Sequence, residues 1–167
     1  MYNNKVENIL LDCDNELKKL SKLIDDFGST AESSGYFTKY SLLKVASILE
    51  ISYKTLIADY YESLSPDLRQ FVSSHVRDAN MNASYANICT MLGWFSDDVK
   101  SKYKQEVQKM KNKDRYLNEF KELNDARNNL VHYDGNVLSF IGIKEKFNHV
   151  KVFLEILDKI IYRINIE

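Results

Sequence analysis

A chain of 167 residues is long enough to form one domain with a substantial buried core. With 44% hydrophobic and 28% charged residues, its composition is an ordinary balance for a soluble globular domain. The net charge of −1 excludes a globally basic nucleic-acid binder, so any contact with RNA must come from a local patch.

Hydrophobic periodicity predicts an all-α fold, a single-domain helical bundle of about six to seven helices over residues 1–167. One Pro and five Gly are few, which favours long uninterrupted helices. The first helix is predicted over residues 4–27, and a polar loop over residues 28–35 follows it. The second helix, over residues 36–62, has so little polar face that we expect it at the centre of the bundle. The apolar stripe of the first helix comprises Val6, Leu10, Cys13, Leu17, Leu20, Ile24 and Phe27.

The middle of the chain is divided into shorter helices. A capping Ser, a Pro and an acid at Ser65-Pro66-Asp67 predict a helix that ends near residue 78. A polar connection leads from there to an apolar helix over residues 85–95, and a Lys-rich helix comes next. A further helix is predicted over residues 115–132, and the last helix has apolar residues at four- and three-residue steps from Ile143 to Ile164.

The two cysteines and the apolar runs bear on the environment of the protein. Cys13 and Cys89 lack CxxC or Cys/His spacing, which predicts reduced thiols and no zinc site. No stretch approaches the ~20 apolar residues that a membrane span needs, and the N-terminus lacks the apolar run of a signal peptide. We therefore expect a cytoplasmic protein with no membrane contact.

The predicted helix over residues 115–132 has an unusual charge. Its apolar stripe comprises Tyr116, Phe120, Leu123 and Leu130, and the same spacing predicts an apolar residue at position 127. The sequence has Arg127 there. A charge on an inward stripe is costly unless it is paired or faces a cleft, so we expect Arg127 to have a partner or a binding role.

Polar residues occupy the face beside Arg127. Asn124, Asn128 and His132 follow one another at four-residue steps. An Arg can bind a phosphate bidentately and a His can transfer a proton near neutral pH, which together suit RNA cleavage without a metal. The alternative is that His132 caps the helix end and Arg127 extends beside its stripe. On an ideal helix Arg127 and His132 are ~7.5 Å apart along the axis and ~140° apart around it. They converge only if His132 swings back from the frayed helix end or if a second copy supplies the missing half.

The segment RNNLVHYDG resembles the signature of the HEPN domain superfamily, an Arg followed after a short spacer by a His, often with Asn directly after the Arg. Arg127, Asn128 and His132 match that signature in order and spacing. The resemblance implies a compact helical bundle and a metal-independent endoribonuclease of a toxin–antitoxin, abortive-infection or CRISPR system. It also implies RNA as substrate, no cofactor, a homodimer with a composite active site, and an antitoxin or defence-system partner protein.

One HEPN subfamily, the toxin paired with a nucleotidyltransferase antitoxin, has His-x-Tyr with a modified Tyr. Here Tyr133 follows His132 directly, and this departure argues against that pairing. Tyr133 is therefore predicted only as a supporting residue.

The resemblance implies specific roles in cleavage. Arg127 stabilises charge on the phosphate oxygens, His132 acts as general base or acid, and Asn128 orients His132 or the phosphate. Some family members are catalytically inactive, so the alternative function is a module that binds a partner protein or a nucleotide. A generic helical interaction protein, in which the motif is accidental, is the third hypothesis.

Glu50 and the lysines of the Lys-rich helix each have a functional and a structural interpretation. Glu50 lies within the apolar second helix, and either Arg127 or Lys54 is its predicted partner. In the Lys-rich helix, Lys100, Lys104 and Lys111 are candidate RNA-binding residues, although the pattern favours a solvated helix face over an RNA-binding one. His75 and His149 have no metal-ligand spacing to another His or a Cys, so no metal site is predicted.

Overall fold

The structure, a computed structural model, describes residues 1–132 and 138–163. Within these two ranges it contains seven α-helices and no strand, which confirms the predicted all-α fold. A 3₁₀ turn over Pro66–Leu68 precedes the third helix, and a π-helical turn over Ser73–Arg77 follows it. The helices are α1 Asn4–Phe27, α2 Glu32–Leu64, α3 Arg69–Val72, α4 Tyr85–Phe95, α5 Asp97–Gln108, α6 Lys113–His132 and α7 Phe140–Arg163.

Helix α1 has the predicted bounds, because local signals fix both of its ends. The Asn3 side chain accepts a hydrogen bond from the Val6 N–H at 3.1 Å, which caps the first turn. At the other end Gly28 has φ 87°, a conformation that favours glycine, and its N–H donates to the Ile24 carbonyl at 2.9 Å. The predicted stripe is buried except for Phe27, which is 59% exposed, so its prediction as a core residue is wrong.

Helix α2 begins at Glu32, four residues before its predicted start. The polar residues of the predicted loop are compatible with a first helical turn because Ser34 is buried and its hydroxyl donates to the Gly28 carbonyl at 2.7 Å. Helix α2 contacts α1, α6 and α7, which confirms its predicted place at the centre.

Helix α6 places its inward stripe differently from the prediction. Phe120, Leu123 and Ala126 are buried, whereas Arg127 and Leu130 are only partly buried. A helical turn of 3.6 residues allows an apolar stripe to continue by either three or four residues. Here the stripe continues from Leu123 by three residues to Ala126. Arg127 therefore lies at the edge of the core, and the prediction that it interrupts the core stripe is wrong.

Helix α7 packs against α2, α5 and α6, and the predicted apolar residues from Ile143 to Ile161 are buried. Its Asp158 is fully buried and accepts backbone hydrogen bonds from Tyr2 at 2.5 Å and from Asn3 at 3.0 Å. This carboxylate therefore fixes the N-terminal residues onto the last helix.

Both cysteines are buried and form no disulfide bond. Among the described helices, none combines the length and apolar character that a bilayer crossing requires.

Candidate functional site

Arg127 lines a cavity of about 290 Å³ between α2 and α6. Its Nη1 donates a hydrogen bond to Asn128 Oδ1 at 3.0 Å, which orients the guanidinium. The structure thus joins two of the predicted site residues, Arg127 and Asn128. The cavity, called the Arg127 cavity below, is lined by Leu43, Ala46, Ser47, Glu50, Ile51, Asn82, Asn124 and Arg127.

Glu50 lines the same cavity, but its ionic partner is Lys54. Lys54 Nζ lies 2.6 Å from Glu50 Oε1, one helical turn away. Lys54 is the buried member of this pair at 6% exposure, whereas Glu50 is only partly buried. Of the two predicted partners the structure selects Lys54, and Arg127 has no ion pair with any residue in the described ranges.

The connection over residues 78–84 contributes Asn82 to the lining of the Arg127 cavity. Three side chains donate to its carbonyl groups: Lys54 Nζ to Ala79 at 2.5 Å, Tyr53 Oη to Met81 at 2.8 Å, and Asn124 Nδ2 to Ala83 at 2.6 Å. Tyr53 is fully buried, so its hydroxyl requires such a partner. These bonds fix the connection across α2 and α6.

Asn82 lies at the candidate site, although its segment is predicted only as a polar connection. It lines the Arg127 cavity beside Asn124. The signal that could have found it is the pair of amides Asn80 and Asn82 in this connection, since binding residues often lie on loops.

Asn124, predicted as a supporting residue, has a positioning role in the structure. Besides Ala83, its Nδ2 donates to the Phe120 carbonyl at 3.1 Å. Its side chain also lines a second cavity of about 440 Å³, called the Asn87 cavity below. The Asn87 cavity is lined by Asn82, Ser84, Tyr85, Ala86, Asn87, Leu117, Phe120, Lys121 and Asn124.

His132 is the last residue of α6. Its side chain and the whole of Tyr133 lie outside the described part of the chain, so their predicted roles stay predictions.

The Lys-rich helix is α5 together with the residues that follow it. Lys100 lies 3.6 Å from Asp97 and is partly buried, whereas Lys104 and Lys111 are exposed and have no acidic partner among the residues described. Helix α5 packs on α4 and α7, whereas the Arg127 cavity lies between α2 and α6. The structure therefore does not bring the predicted RNA-binding lysines into that cavity.

His149, for which no metal site is predicted, has two partners on α6. Its Nδ1 is 2.6 Å from Glu119 Oε2, and its ring stacks on Tyr116 with 4.4 Å between centroids. Burial opposes ionisation of Glu119, but hydrogen bonds from Arg115 and His149 outweigh it and lower the pKa of this carboxyl. This pair links α6 to α7. Within the described ranges, no three His, Cys, Asp or Glu side chains are grouped so that they could hold a metal ion.

The chain matches the model of a known protein family. The family model described as RiboL-PSP-HEPN covers residues 8–163, which include every residue that lines the Arg127 cavity. No curated protein and no solved structure matches the chain, so the assignment depends on the family model. The all-helical fold and the order Arg127, Asn128, His132 agree with it. The chain therefore belongs to the RiboL-PSP-HEPN family, within the HEPN domain superfamily that its motif resembles.

Proposed function

We propose that the protein is a metal-independent endoribonuclease that cleaves single-stranded RNA in the cytoplasm, as part of a toxin–antitoxin or anti-phage defence system. The observation that supports this most directly is the position of Arg127 at a cavity, without an ionic partner in the described part of the chain. Arg127 lines a cavity that has both polar and apolar walls, and no carboxylate of the described residues forms an ion pair with it. Since Lys54 compensates Glu50, the positive charge of Arg127 is available for a phosphate.

In the proposed mechanism the 2′-hydroxyl oxygen attacks the adjacent phosphorus and loses its proton to a general base. The bond from phosphorus to the 5′-oxygen breaks, and that oxygen takes up a proton. The products are a 2′,3′-cyclic phosphate and a 5′-hydroxyl. We assign proton transfer to His132, because the reference pKa of ~6.5 for histidine suits both directions near pH 7. Arg127 stabilises the charge on the non-bridging oxygens, and Asn128 positions Arg127.

We expect purified protein to cleave single-stranded RNA in the presence of EDTA. The reaction requires only side-chain acid–base and charge-stabilising groups, so removal of divalent ions should leave the rate unchanged. End-group analysis should find 2′,3′-cyclic phosphate and 5′-hydroxyl termini. If the wild-type protein binds RNA or a partner protein without cleaving RNA, the catalytically silent module is the correct function.

We further propose that two copies form the active site. An exposed apolar row on α2, called the α2 stripe below, runs beside the Arg127 cavity. Its residues Tyr36, Tyr40, Leu43 and Ile51 are 62%, 46%, 40% and 46% exposed. Leu43 and Ile51 also line the cavity. Two-fold pairing through this stripe buries apolar surface and brings two Arg127 cavities together.

Replacement of Ile51 by Lys tests this pairing. An unpaired charge buried in the interface should weaken the dimer by at least about tenfold, and RNA cleavage should fall in parallel. Analytical ultracentrifugation at micromolar concentration measures the dimer. Leu11→Lys is the matched control, because Leu11 is similarly exposed at 53% but lies on α1 outside the Arg127 cavity. A wild-type protein that is monomeric at this concentration and still cleaves RNA contradicts the composite site.

A further inference from the structure

The Arg127 cavity and the Asn87 cavity are neighbours. Asn82 and Asn124 line both of them and form the wall between them. A phosphate bound at Arg127 therefore has a second cavity next to it. At about 440 Å³, the Asn87 cavity lies within the usual range for small-ligand sites, which is roughly 300–1,000 Å³.

The walls of the Asn87 cavity have two chemical characters. Tyr85, Leu117 and Phe120 supply apolar and aromatic surface, while Asn82 and Asn87 supply amides. Lys121 lines the cavity and is exposed to solvent. A nucleobase requires this combination, since its faces are apolar and its edge donates and accepts hydrogen bonds.

The two amides are already oriented by each other. Asn87 Nδ2 donates to the Asn82 carbonyl and to Asn82 Oδ1, both at 2.9 Å. These bonds leave Asn87 Oδ1 as an acceptor and Asn82 Nδ2 as a donor, and neither atom has a partner among the described residues. The edge of a base can pair with such an acceptor and such a donor on two neighbouring amides.

We propose that the Asn87 cavity binds the base of a nucleotide next to the cleaved phosphate, and that Asn82 and Asn87 determine which base is accepted. This inference rests on the proposed RNA cleavage, because it takes the phosphate at Arg127 as the fixed point. Lys121 binds a neighbouring phosphate at the rim.

The test uses binding, so that it does not depend on catalysis. The four nucleoside 3′-monophosphates are titrated into the full-length protein and into Asn87→Leu, and dissociation constants are measured by calorimetry. In the wild type we expect the preferred nucleotide to bind at least about tenfold more tightly than the weakest one, a difference that one or two hydrogen bonds to the base can supply. Asn87→Leu should reduce this difference to less than about threefold. Asn118→Leu, a change of an exposed amide on α6 outside both cavities, should preserve it.

A second variant separates base recognition from folding. Lys121→Glu alters an exposed side chain at the rim, so it should weaken the four nucleoside 3′,5′-bisphosphates, which carry the neighbouring phosphate, by a similar factor without changing their order. Equal binding of the four bases by the wild type, or an unchanged preference in Asn87→Leu, overturns the proposal. The RNA-cleavage assay is a separate measurement. Selective binding of one nucleotide without RNA cleavage contradicts the ribonuclease function but supports the base site. RNA cleavage without selective binding supports the ribonuclease function but contradicts the base site.

Discussion

Arg127→Ala is expected to reduce the rate of RNA cleavage by about 10²–10³-fold, the usual loss for one charge-stabilising donor in an active site. The reason is that Arg127 is the cation that lines the cavity and has no ion pair with a described residue. Its partial burial limits the contact of the phosphate with water, which strengthens the interaction. Single-turnover cleavage of a labelled single-stranded RNA measures the effect.

Two variants show that the loss comes from the site. Arg127→Lys keeps the charge but lacks the planar fork of donors, so its rate should lie between those of the wild type and of Arg127→Ala. Arg69→Ala removes an exposed Arg on α3, outside the cavity, and should cleave at the wild-type rate. Cleavage by Arg127→Ala at the wild-type rate in a pure preparation refutes the assignment of this residue.

Bacterial growth tests the proposed toxin activity in cells. Expression of the wild type should arrest bacterial growth, and both Arg127→Ala and His132→Ala should relieve the arrest. Growth that is equally unaffected by all three proteins contradicts the toxin role.

Asp158→Ala is expected to lower the free energy of unfolding by about 2–3 kcal/mol, because a charged acceptor for two backbone N–H groups is lost. Asp158 is fully buried and accepts from Tyr2 and Asn3. For a domain of this size the midpoint of thermal unfolding should fall by about 5–10 °C. Urea and thermal unfolding monitored by circular dichroism measure both quantities.

The matched control is Glu155→Ala on the same helix. Glu155 is exposed and accepts no hydrogen bond from a described residue, so its removal should change the free energy of unfolding by less than about 0.5 kcal/mol. Asp158→Asn keeps one side-chain oxygen and should fall between the two. Equal unfolding midpoints for Asp158→Ala and Glu155→Ala contradict the role of this carboxylate.

Helix ends and buried helix faces can be predicted from short sequence segments, because they depend on residues that are near one another in the chain. The Asn3 cap and Gly28 fix both ends of α1, and regular apolar spacing predicts the buried faces of α1 and α7. The order of Arg127, Asn128 and His132 indicated the family, because a motif is a property of consecutive residues.

Other features depend on which elements pack together. The sequence does not decide whether Arg127 or Lys54 is the ionic partner of Glu50, since either cation can pair with a carboxylate. The packing of the helices selects Lys54. The position of Asn82 at the cavity is equally non-local, because Tyr53, Lys54 and Asn124, on two different helices, hold its segment in place.

The sequence by itself determined the helical class, the central helix and the motif, because periodicity and consecutive residues are enough for these. The tertiary structure decided that Arg127 lies at the edge of the core, because either a three- or a four-residue step can continue a helical stripe and only packing selects Ala126. It also decided that two cavities meet at Asn82 and Asn124, since residues from separate segments become neighbours only when the bundle closes.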